Sequence, residues 1–400
     1  MNIKSHKPII LTFVAYYLPG YKSGGPVRTI ANMVDQFGHE FDFRIVTADR
    51  DSFDKRPYPN VVIDCWNTVG KAKVFYVSRA KRSLWHLARL ICNIEHDVLY
   101  LNSFFRFDFT IKPLFLRYLG ILPKRPIVIA PRGEFSSGAL VLKSTKKKAY
   151  MAAVKSIGLY HNVLWQASTE LEASDIVNAM GVSTKQIVVA KDLSALPTEI
   201  ANEASLNNKK NYHAPLRICF LSRISPVKNL NYALSILAEV KARVEFSIYG
   251  LIDDELYWKQ CQTMINRLPS NITVKYYGVI EHSAVFRELV KHDLFFLPTR
   301  GENFGHAIVE ALAAGLPVLI SDQTPWLNLS SLGVGWDLSL AEPSRFKDII
   351  ELNAVSSVNE RLEQRHAAIK FAKRIMTDSN TLEQNRALFN DLITRNHAVK

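Results

Sequence analysis

The residues with the clearest potential for chemistry are two glutamates, Glu302 and Glu310, which are separated by seven residues. Glu302 lies in a loop between glycines, where its carboxylate can accept hydrogen bonds from sugar hydroxyls. Glu310 lies in a very apolar helical segment, where a buried carboxylate needs a polar partner such as a ribose diol. Gly305 and His306 begin that helix, and amides at a helix start bind phosphate. A solvated loop residue and a helix-surface charge are the alternatives, but the combination favours a ligand site.

A second pair of candidate residues consists of cations, Arg223 and Lys228, which follow the predicted strand Leu216–Leu221. Two cations on one loop can converge on a diphosphate, the arginine through a forked contact and the lysine as a point charge. Their chemistry would be stabilisation of the charge on a departing nucleotide diphosphate. Solvated surface charge is the commoner meaning of this spacing. Their position at a strand end, in the same half as the glutamates, favours the functional interpretation.

A glycine pair, Gly24-Gly25, follows the first predicted strand and precedes a helix that starts near Pro26. Glycines free the backbone to approach a ligand, and proline suits the first helical position. The segment matches neither a Walker A loop nor the dinucleotide fingerprint. A tight strand-to-helix turn is the alternative.

No metal site is expected. Asp49-Arg50-Asp51 has an Asp-x-Asp form that can hold a divalent cation, but three residues match by chance often. His306 and Glu310 stand four residues apart without the further ligands of a zinc site. We therefore expect neither a metal nor a cofactor.

The elements that must position these residues alternate between apolar strands and amphipathic helices. This alternation in both halves predicts two parallel α/β domains. The expected strands are Ile9–Ala15, Phe43–Thr47, Val74–Val77, Val98–Leu101 and Ile127–Ala130, then Leu216–Leu221, Val244–Tyr249, Ile272–Tyr277, Leu294–Leu297 and Val318–Ile320.

The length of 400 residues also favours two domains. We expect an N-terminal α/β domain over 1–196, a linker over 197–215, a second α/β domain over 216–375, and a C-terminal helix over 376–400 that packs back on the first domain. The linker assignment depends on a polar stretch without periodicity.

The net charge of +13 favours anionic partners. The chain has no nucleic-acid motif, no apolar run of membrane-spanning length and no segment typical of a signal peptide. Part of the charge lies in the run Lys143–Lys148, which is either a solvated helix face or a membrane contact. The four cysteines lack metal spacing and predict reduced thiols in the cytoplasm.

The three loops together resemble family 4 of the retaining glycosyltransferases, over nearly the whole chain. The most specific part is Gly301–Pro325, and Ala167-Ser168-Thr169-Glu170 and Tyr277-Gly278-Val279-Ile280 also match. The resemblance implies the GT-B fold, with two Rossmann-like domains that face an interdomain cleft. It implies that the domain over 1–196 is the acceptor-side domain and that the domain over 216–375 binds the nucleotide sugar. It also implies transfer from a nucleotide sugar without a metal and with retention of configuration.

The resemblance implies a catalytic role for Arg223, Lys228 and Glu302. Arg223 and Lys228 would hold the diphosphate, and Glu302 the donor sugar. The other implied donor contacts are Gly24 and Gly25 on the phosphates, Ile280 on the base, Phe304, Gly305 and His306 on the distal phosphate, and Glu310 on the ribose.

The chain departs from the family pattern at two places. Pro131-Arg132-Gly133-Glu134 stands where many relatives carry a histidine, which leaves Arg132 and Glu134 as acceptor-side substitutes. Gly250 alone remains of a usual Gly-x-Gly. The resemblance is strongest to bacterial enzymes of surface-polysaccharide synthesis (O-antigen, capsule or exopolysaccharide). It implies a saccharide or lipid-diphosphate-linked acceptor and a cytoplasmic enzyme that contacts the anionic inner membrane face peripherally.

Two other functions fit the same architecture. A nucleotide-sugar epimerase would isomerise its donor without an acceptor. An inactive GT-B subunit would recruit a partner enzyme, and loss of Glu302, Arg223 or Lys228 would favour it, but all three are present.

Overall fold

The structure is a computed structural model that describes residues 7–136, 139–140, 144–195 and 214–398. The chain divides into two compact units. Unit 1 comprises residues 1–193 and 379–400, and unit 2 comprises residues 194–378. Most of the expected linker, 197–215, lies outside the described residues. Among the described helices, none is long and apolar enough to cross a membrane.

Unit 1 is built on a sheet of eight described strands in the order β3-β4-β2-β1-β5-β6-β7-β8, parallel except for β3. Its strands are β1 (Ile9–Phe13), β2 (Asp42–Ala48), β3 (Trp66–Val69), β4 (Ala72–Val77), β5 (Val98–Asn102), β6 (Ile127–Ala130), β7 (Leu164–Ala167) and β8 (Ile187–Val189). Its helices are α1 (Gly25–Phe37), α2 (Leu84–Cys92), α3 (Lys112–Tyr118), α4 (Ser144–Ser156), α5 (Glu170–Met180) and the C-terminal α12 (Ser379–Ala398). One π-helical turn, Phe107–Ile111, leads into α3.

Both faces of this sheet are covered, which is why β1 is buried at every residue. On one face α1 contributes Ile30, Val34 and Phe37 to the core, as its helical spacing predicts. The last helix, α12, packs on the same face, and the Phe389 ring lies 5.5 Å from the ring of Tyr100. A separate apolar core fills the opposite face.

Unit 2 has a sheet of six described strands, all parallel, in the order β11-β10-β9-β12-β13-β14. Its strands are β9 (Leu216–Leu221), β10 (Val244–Tyr249), β11 (Ile272–Gly278), β12 (Leu294–Leu297), β13 (Val318–Ser321) and β14 (Gly335–Leu338). Its helices are α6 (Leu230–Leu237), α7 (Glu255–Ile265), α8 (His282–Leu289), α9 (His306–Ala313), α10 (Pro343–Val355) and α11 (Val358–Met376).

All ten strands expected from the sequence are confirmed; four have the expected ends, and the ends of the other six differ by at most two residues. Four strands were not expected: β3, β7, β8 and β14. Three of them lie at a sheet edge and the fourth, β7, pairs with an edge strand. Edge strands are short and half exposed, so they lack the continuous apolar run that marks a central parallel strand.

Candidate active site

The strand order of unit 2 reverses between β9 and β12, because β10 and β11 lie on one side of β9 and β13 and β14 lie beyond β12. In open parallel sheets, ligands bind outside the carboxyl ends of the strands at such a switch point. The loop after β9 carries Arg223 and Lys228, and the loop after β12 carries Glu302. The topology therefore places the predicted cations and the first glutamate on loops that flank this point.

The structure brings Lys228 and Glu302 into direct contact. The Lys228 Nζ lies 2.6 Å from the Glu302 Oε2 and 3.4 Å from the carbonyl oxygen of Gly301. Both side chains are largely buried, with 11% and 19% of their surface exposed. A charge pair this poorly solvated is screened less than a surface pair, so its field acts strongly on whatever binds beside it.

Asn229 joins the two loops that carry this pair. Its backbone adopts the left-handed conformation, with φ 61°, at the start of α6. Its side-chain nitrogen donates to the Pro298 carbonyl at 2.9 Å, and its side-chain oxygen accepts from the Arg300 guanidinium at 3.2 Å. Asparagine tolerates this backbone region better than most residues. A buried Asn229 thus fixes the relative position of the lysine and glutamate loops.

Arg223 turns toward the loop after β10, where its guanidinium donates to Asp253 at 2.8 Å. It is more exposed than Lys228, at 46% of its side-chain surface. The same region requires Gly250, because a Cβ there would lie 1.8 Å from the Ser222 carbonyl oxygen. The single glycine left from the expected Gly-x-Gly therefore permits the close approach of the loops after β9 and β10.

The start of α9 is held in a defined shape. Gly305 caps the helix with φ 84°, and a Cβ at this residue would lie 2.8 Å from the Ile308 Cδ1 and 3.1 Å from the Glu302 Cγ. The Trp326 indole N–H donates to the Phe304 carbonyl at 2.5 Å. The Phe304 and His306 rings lie 4.8 Å apart. These contacts place the first turn of α9 directly beside Glu302, so the backbone of Phe304 to His306 adjoins the charge pair.

Glu310 faces the loop that carries Ile280. The His282 Nε2 lies 3.2 Å from the Glu310 Oε1, and His282 is the first residue of α8, two residues after Ile280. The predicted ribose and base contacts are therefore adjacent in space, and a histidine bridges them.

In unit 1, the Gly24-Gly25 turn lies after β1 as expected, with Gly24 at φ 66° capping α1. The Asp51 carboxylate holds the chain before it, accepting from the backbone N–H of Tyr21 at 2.7 Å and of Lys22 at 3.0 Å. Asp51 is 3% exposed. The glycine turn is thus anchored by a carboxylate from the loop after β2.

This anchoring also accounts for the Asp-x-Asp motif. Asp49 pairs with the guanidinium groups of Arg50 and Arg82, at 2.8 and 3.0 Å, and Asp51 binds backbone N–H groups. The two carboxylates have separate structural partners. Among the described residues, no group of three or more His, Cys, Asp and Glu side chains is arranged to hold a metal ion.

Arg132 is engaged within unit 1. Its guanidinium, 6% exposed, pairs with Asp192, donates to Asn102 at 2.9 Å and contacts the Tyr100 hydroxyl. The adjacent Gly133 N–H donates to Glu172, whose carboxyl pKa is raised by burial.

Glu134 binds the loop after β5. It accepts from the Ser103 hydroxyl at 2.6 Å, from the Phe104 N–H at 2.5 Å and from the Phe105 N–H at 3.1 Å. The acceptor-side roles of Arg132 and Glu134 stay predictions. The contacts found here hold loops at the carboxyl ends of β5 and β6.

Sequence reasoning missed several residues of this arrangement: Asn229, Asp253, His282, Arg300 and Trp326. Most of them follow a strand at its carboxyl end, which is the one available signal in the sequence. Their hydrogen bonds join residues that lie 22 to 71 positions apart, and no local pattern specifies such contacts.

Comparisons with known proteins show a family match in part of unit 2, one curated relative and several structures of the same fold. Residues 202–330 match the family model described as glycosyl transferases group 1. An uncharacterised 41.2 kDa protein in the cps region of Klebsiella pneumoniae is 23% identical over 314 residues, which cover 76% of this chain and 84% of that protein.

Two solved structures show the same fold. Anabaena Alr3699/HepE, in complex with UDP and glucose, superposes with a TM-score of 0.70 at 16% identity over 97% of this chain and 100% of that one. WaaG, a glycosyltransferase involved in lipopolysaccharide biosynthesis, superposes with a TM-score of 0.64 at 12% identity over 95% and 98% of the two chains. Part of unit 2 thus resembles the glycosyl transferases of group 1, and the chain has the GT-B fold of these solved structures.

Proposed function

We propose that the protein transfers a sugar from a nucleotide-sugar donor to a saccharide acceptor, without a metal ion and with retention of anomeric configuration. The observation that carries this proposal is the Lys228–Glu302 pair at the switch point of the unit 2 sheet. A diphosphate leaving group gains negative charge as the sugar departs, and a preorganised cation beside it lowers the barrier.

In this proposal the cations do most of the catalytic work. Lys228 is held in place by Glu302 and by the Gly301 carbonyl, so little reorganisation is needed when the donor binds. Arg223 is more exposed and would exchange Asp253 for the diphosphate. Glu302 would bind hydroxyls of the donor sugar and keep Lys228 directed toward the phosphates.

The proposed reaction balances without a cofactor. The bond between the anomeric carbon and the diphosphate oxygen breaks, and a bond from the acceptor oxygen forms on the same face of the sugar. The proton of the acceptor hydroxyl passes to the departing diphosphate. A carboxylate nucleophile is not required, which agrees with the engagement of Glu302 by a lysine.

The remaining donor contacts follow from the same assignment. The backbone of Phe304, Gly305 and His306 would bind the distal phosphate, because the first turn of α9 lies beside Glu302. Glu310 would hold the ribose with His282 behind it, and the loop at Ile280 would contact the base. In unit 1, the backbone of Gly24 and Gly25 would contribute to phosphate binding, and the residues around Arg132 and Glu134 would form the acceptor side.

We further propose a role in surface-polysaccharide synthesis. Support comes from the similarity to a Klebsiella pneumoniae protein in a cps region and to WaaG, a protein involved in lipopolysaccharide biosynthesis. The acceptor would be a saccharide, free or linked to a lipid diphosphate. The enzyme would act in the cytoplasm, in peripheral contact with the anionic inner membrane face.

The first experiment is a thermal-shift screen of the full chain against nucleotide sugars, beginning with UDP-glucose because Alr3699/HepE was crystallised with it. A ligand that binds only the folded state raises the melting temperature. We expect selective stabilisation by one donor in the wild type and none in Lys228→Ala. Absence of stabilisation by every donor would favour the inactive-subunit function.

A second experiment tests the reaction itself. With the stabilising donor and a saccharide acceptor, the anomeric proton coupling of the product should match that of the donor, and EDTA should leave the rate unchanged. An inverted product would exclude retention, and loss of activity in EDTA would exclude the metal-free mechanism. A changed donor sugar without acceptor would identify an epimerase.

A further inference from the structure

Unit 1 exposes a group of large apolar side chains on and around α2 and α3. Trp85 is 74% exposed and Phe107 is 64% exposed, both far beyond what core aromatics show. We call the group the α2–α3 surface; its members are Leu84, Trp85, Phe107, Phe115, Tyr118, Leu119 and Ile121. Clustered exposed apolar side chains of this size mark interaction sites more often than scattered ones do.

Contacts at both ends of the two helices show that they lie side by side. At the start, the Lys112 ammonium donates to the Arg82 carbonyl just before α2 and lies 5.0 Å from the centre of the Phe107 ring. At the other end, the Cys92 Sγ lies 3.6 Å from the Ile121 carbonyl oxygen. The helices therefore run in the same direction, and Trp85 and Phe107 lie at the same end of the pair.

The two segments that contain α2 and α3 carry much of the net positive charge of the chain. Residues 79–93 contain Arg79, Lys81, Arg82 and Arg89 and neither Asp nor Glu. Residues 106–126 contain one carboxylate, Asp108, whose Oδ1 lies 2.7 Å from the Lys112 ammonium. Their cations are Arg106, Lys112, Arg117, Lys124 and Arg125. The two segments together carry a formal net charge of +8, compared with +13 for the whole chain, and Asp64 and Asp49 pair with two of their cations, Lys81 and Arg82.

We propose that the α2–α3 surface is the membrane-contacting face of this protein and that it binds a bilayer of anionic lipid. This inference rests on the proposed function, which includes peripheral contact with the anionic inner membrane face. Aromatic side chains prefer the interface between lipid headgroups and acyl chains, and Lys and Arg beside them attract anionic headgroups. A nucleic acid would match the charge but not the aliphatic members of the surface, Leu84, Leu119 and Ile121.

The basic residues of α4 are a weaker candidate for the membrane contact. Lys146 and Lys148 are exposed, but none of the described side chains of α4 is an exposed aromatic or large aliphatic one. Charge alone attracts a protein to a bilayer and is screened by salt, whereas inserted aromatics hold it there. The α2–α3 surface supplies both.

The position of this surface connects it to the acceptor side. Its Phe107 follows directly on the loop after β5, whose Phe104 and Phe105 amides are held by Glu134. The Arg106 guanidinium lies 5.5 Å from the centre of the Tyr16 ring, in the loop after β1. A lipid-linked acceptor in the bound bilayer would therefore present its saccharide near the carboxyl ends of β1, β5 and β6.

The test is vesicle co-sedimentation of the full chain, without nucleotide sugar. Vesicles contain either phosphatidylglycerol mixed with phosphatidylethanolamine, or phosphatidylcholine alone. We expect binding to the anionic vesicles only, reduced by salt, and at least about tenfold weaker partitioning for Trp85→Ala combined with Phe107→Ala. The matched control is Leu171→Ala combined with Leu256→Ala, two leucines exposed at 68% and 74%.

The control variant should bind like the wild type, and both variants should keep the wild-type melting temperature. Equal binding of the Trp85/Phe107 variant, equal binding to phosphatidylcholine, or no vesicle binding at all would overturn the proposal. Loss of binding in Lys146→Ala combined with Lys148→Ala, with Trp85 and Phe107 intact, would instead assign the contact to α4.

Donor binding separates this proposal from the proposed function. The Trp85/Phe107 variant should keep its stabilisation by the nucleotide sugar, because the donor contacts lie in other loops. Vesicle binding by a chain that no nucleotide sugar stabilises would reject the transferase and leave the membrane surface in place. Stabilisation by a nucleotide sugar without vesicle binding would reject the membrane surface and leave the transferase in place.

Discussion

At the amino end of each sheet, an aspartate directly before the neighbouring strand binds the first strand of the unit. In unit 1, Asp97 accepts from the Ile9 N–H at 2.8 Å and returns its own N–H to the Ile9 carbonyl at 2.9 Å. In unit 2, Asp293 does the same with Arg217, at 3.0 and 2.7 Å. A buried histidine precedes each aspartate, His96 and His292. The two sheets are therefore organised in the same way where their strands begin.

At the carboxyl ends the two units differ. In unit 2, Lys228 and Glu302 pair with each other at the switch point and stay partly exposed. In unit 1, the charged side chains are used to hold the fold: Arg132 by Asp192 and Glu134 by backbone amides. The same architecture thus places a partly exposed charge pair at the carboxyl end of one sheet, and charged side chains engaged by their own unit's loops at that end of the other. We therefore expect the charge pair of unit 2 to take part in the reaction, and the loops of unit 1 to determine the shape of the surface that they form.

Among the variants that test this difference, Arg132→Ala should show the largest effect, a loss of unfolding free energy. Arg132→Ala leaves Asp192 buried without its cation, which should cost about 3–5 kcal/mol of unfolding free energy. Urea denaturation measures this loss of unfolding free energy. The control is Arg345→Ala, which breaks an exposed ion pair with Glu342 and should cost about 0–1 kcal/mol. A stable Arg132→Ala protein with a raised KM for acceptor alone would give this residue an acceptor role after all.

The next largest effect is on catalysis. Lys228→Ala should lower kcat by about 10²–10³-fold, because a preorganised cation at the leaving group is removed. Its unfolding free energy should fall less than that of Arg132→Ala, since the Glu302 side chain is 19% exposed and Asp192 only 5%. Lys291→Ala, which breaks an exposed pair with Glu288, should keep full activity. A Lys228→Ala variant with the wild-type kcat would contradict the proposed functional difference between the carboxyl ends of the two sheets.

A smaller loss of stability should appear when the pH is lowered, at the amino ends of the two sheets, which are organised in the same way. Burial lowers the pKa of His292 from 6.5 to about 4. A depressed histidine pKa stabilises the fold above pH 6.5, and this stability is lost as the pH falls toward 4, because the unfolded chain takes up the proton first. Between pH 6.5 and 5 the loss is about 2 kcal/mol.

Hydrogen exchange of β9 and β12 reports this loss in unit 2, and His292→Gln should flatten the pH dependence. The pKa of His96 is lowered by burial as well, so β1 and β5 should weaken in the same direction. Opening free energies in β9, obtained from exchange after correction for the intrinsic rate at each pH, that do not change between pH 6.5 and 5 would contradict the assignment.

The smallest effect is on donor affinity. His282→Ala removes the contact with Glu310, and the loss of one such hydrogen bond is worth about 0.5–1.5 kcal/mol, or up to about tenfold in the KM for donor. With kcat unchanged, the effect would be on binding rather than on the chemical step. His366→Ala, an exposed histidine elsewhere in unit 2, serves as the control. A lowered kcat with constant KM would place His282 nearer to the reacting atoms.

Much of the fold could be predicted from the sequence, because central parallel strands are continuous apolar runs and their helices show a 3.6-residue period. The strands β9 and β12, and the loops that follow them, were identifiable on that ground. The edge strands β3 and β14 were not, since their residues are only half buried and carry no such run.

The sequence by itself determined which residue types stand at the carboxyl ends of the strands, including Lys228, Glu302 and the glycines Gly24 and Gly305. Only the tertiary structure decided their partners. It paired Lys228 with Glu302 across 74 residues and Arg132 with Asp192 across 60. The physical reason is that a charge is recognisable from its residue type, whereas its role depends on burial and on the nearest opposite charge, and both arise only when distant segments pack together.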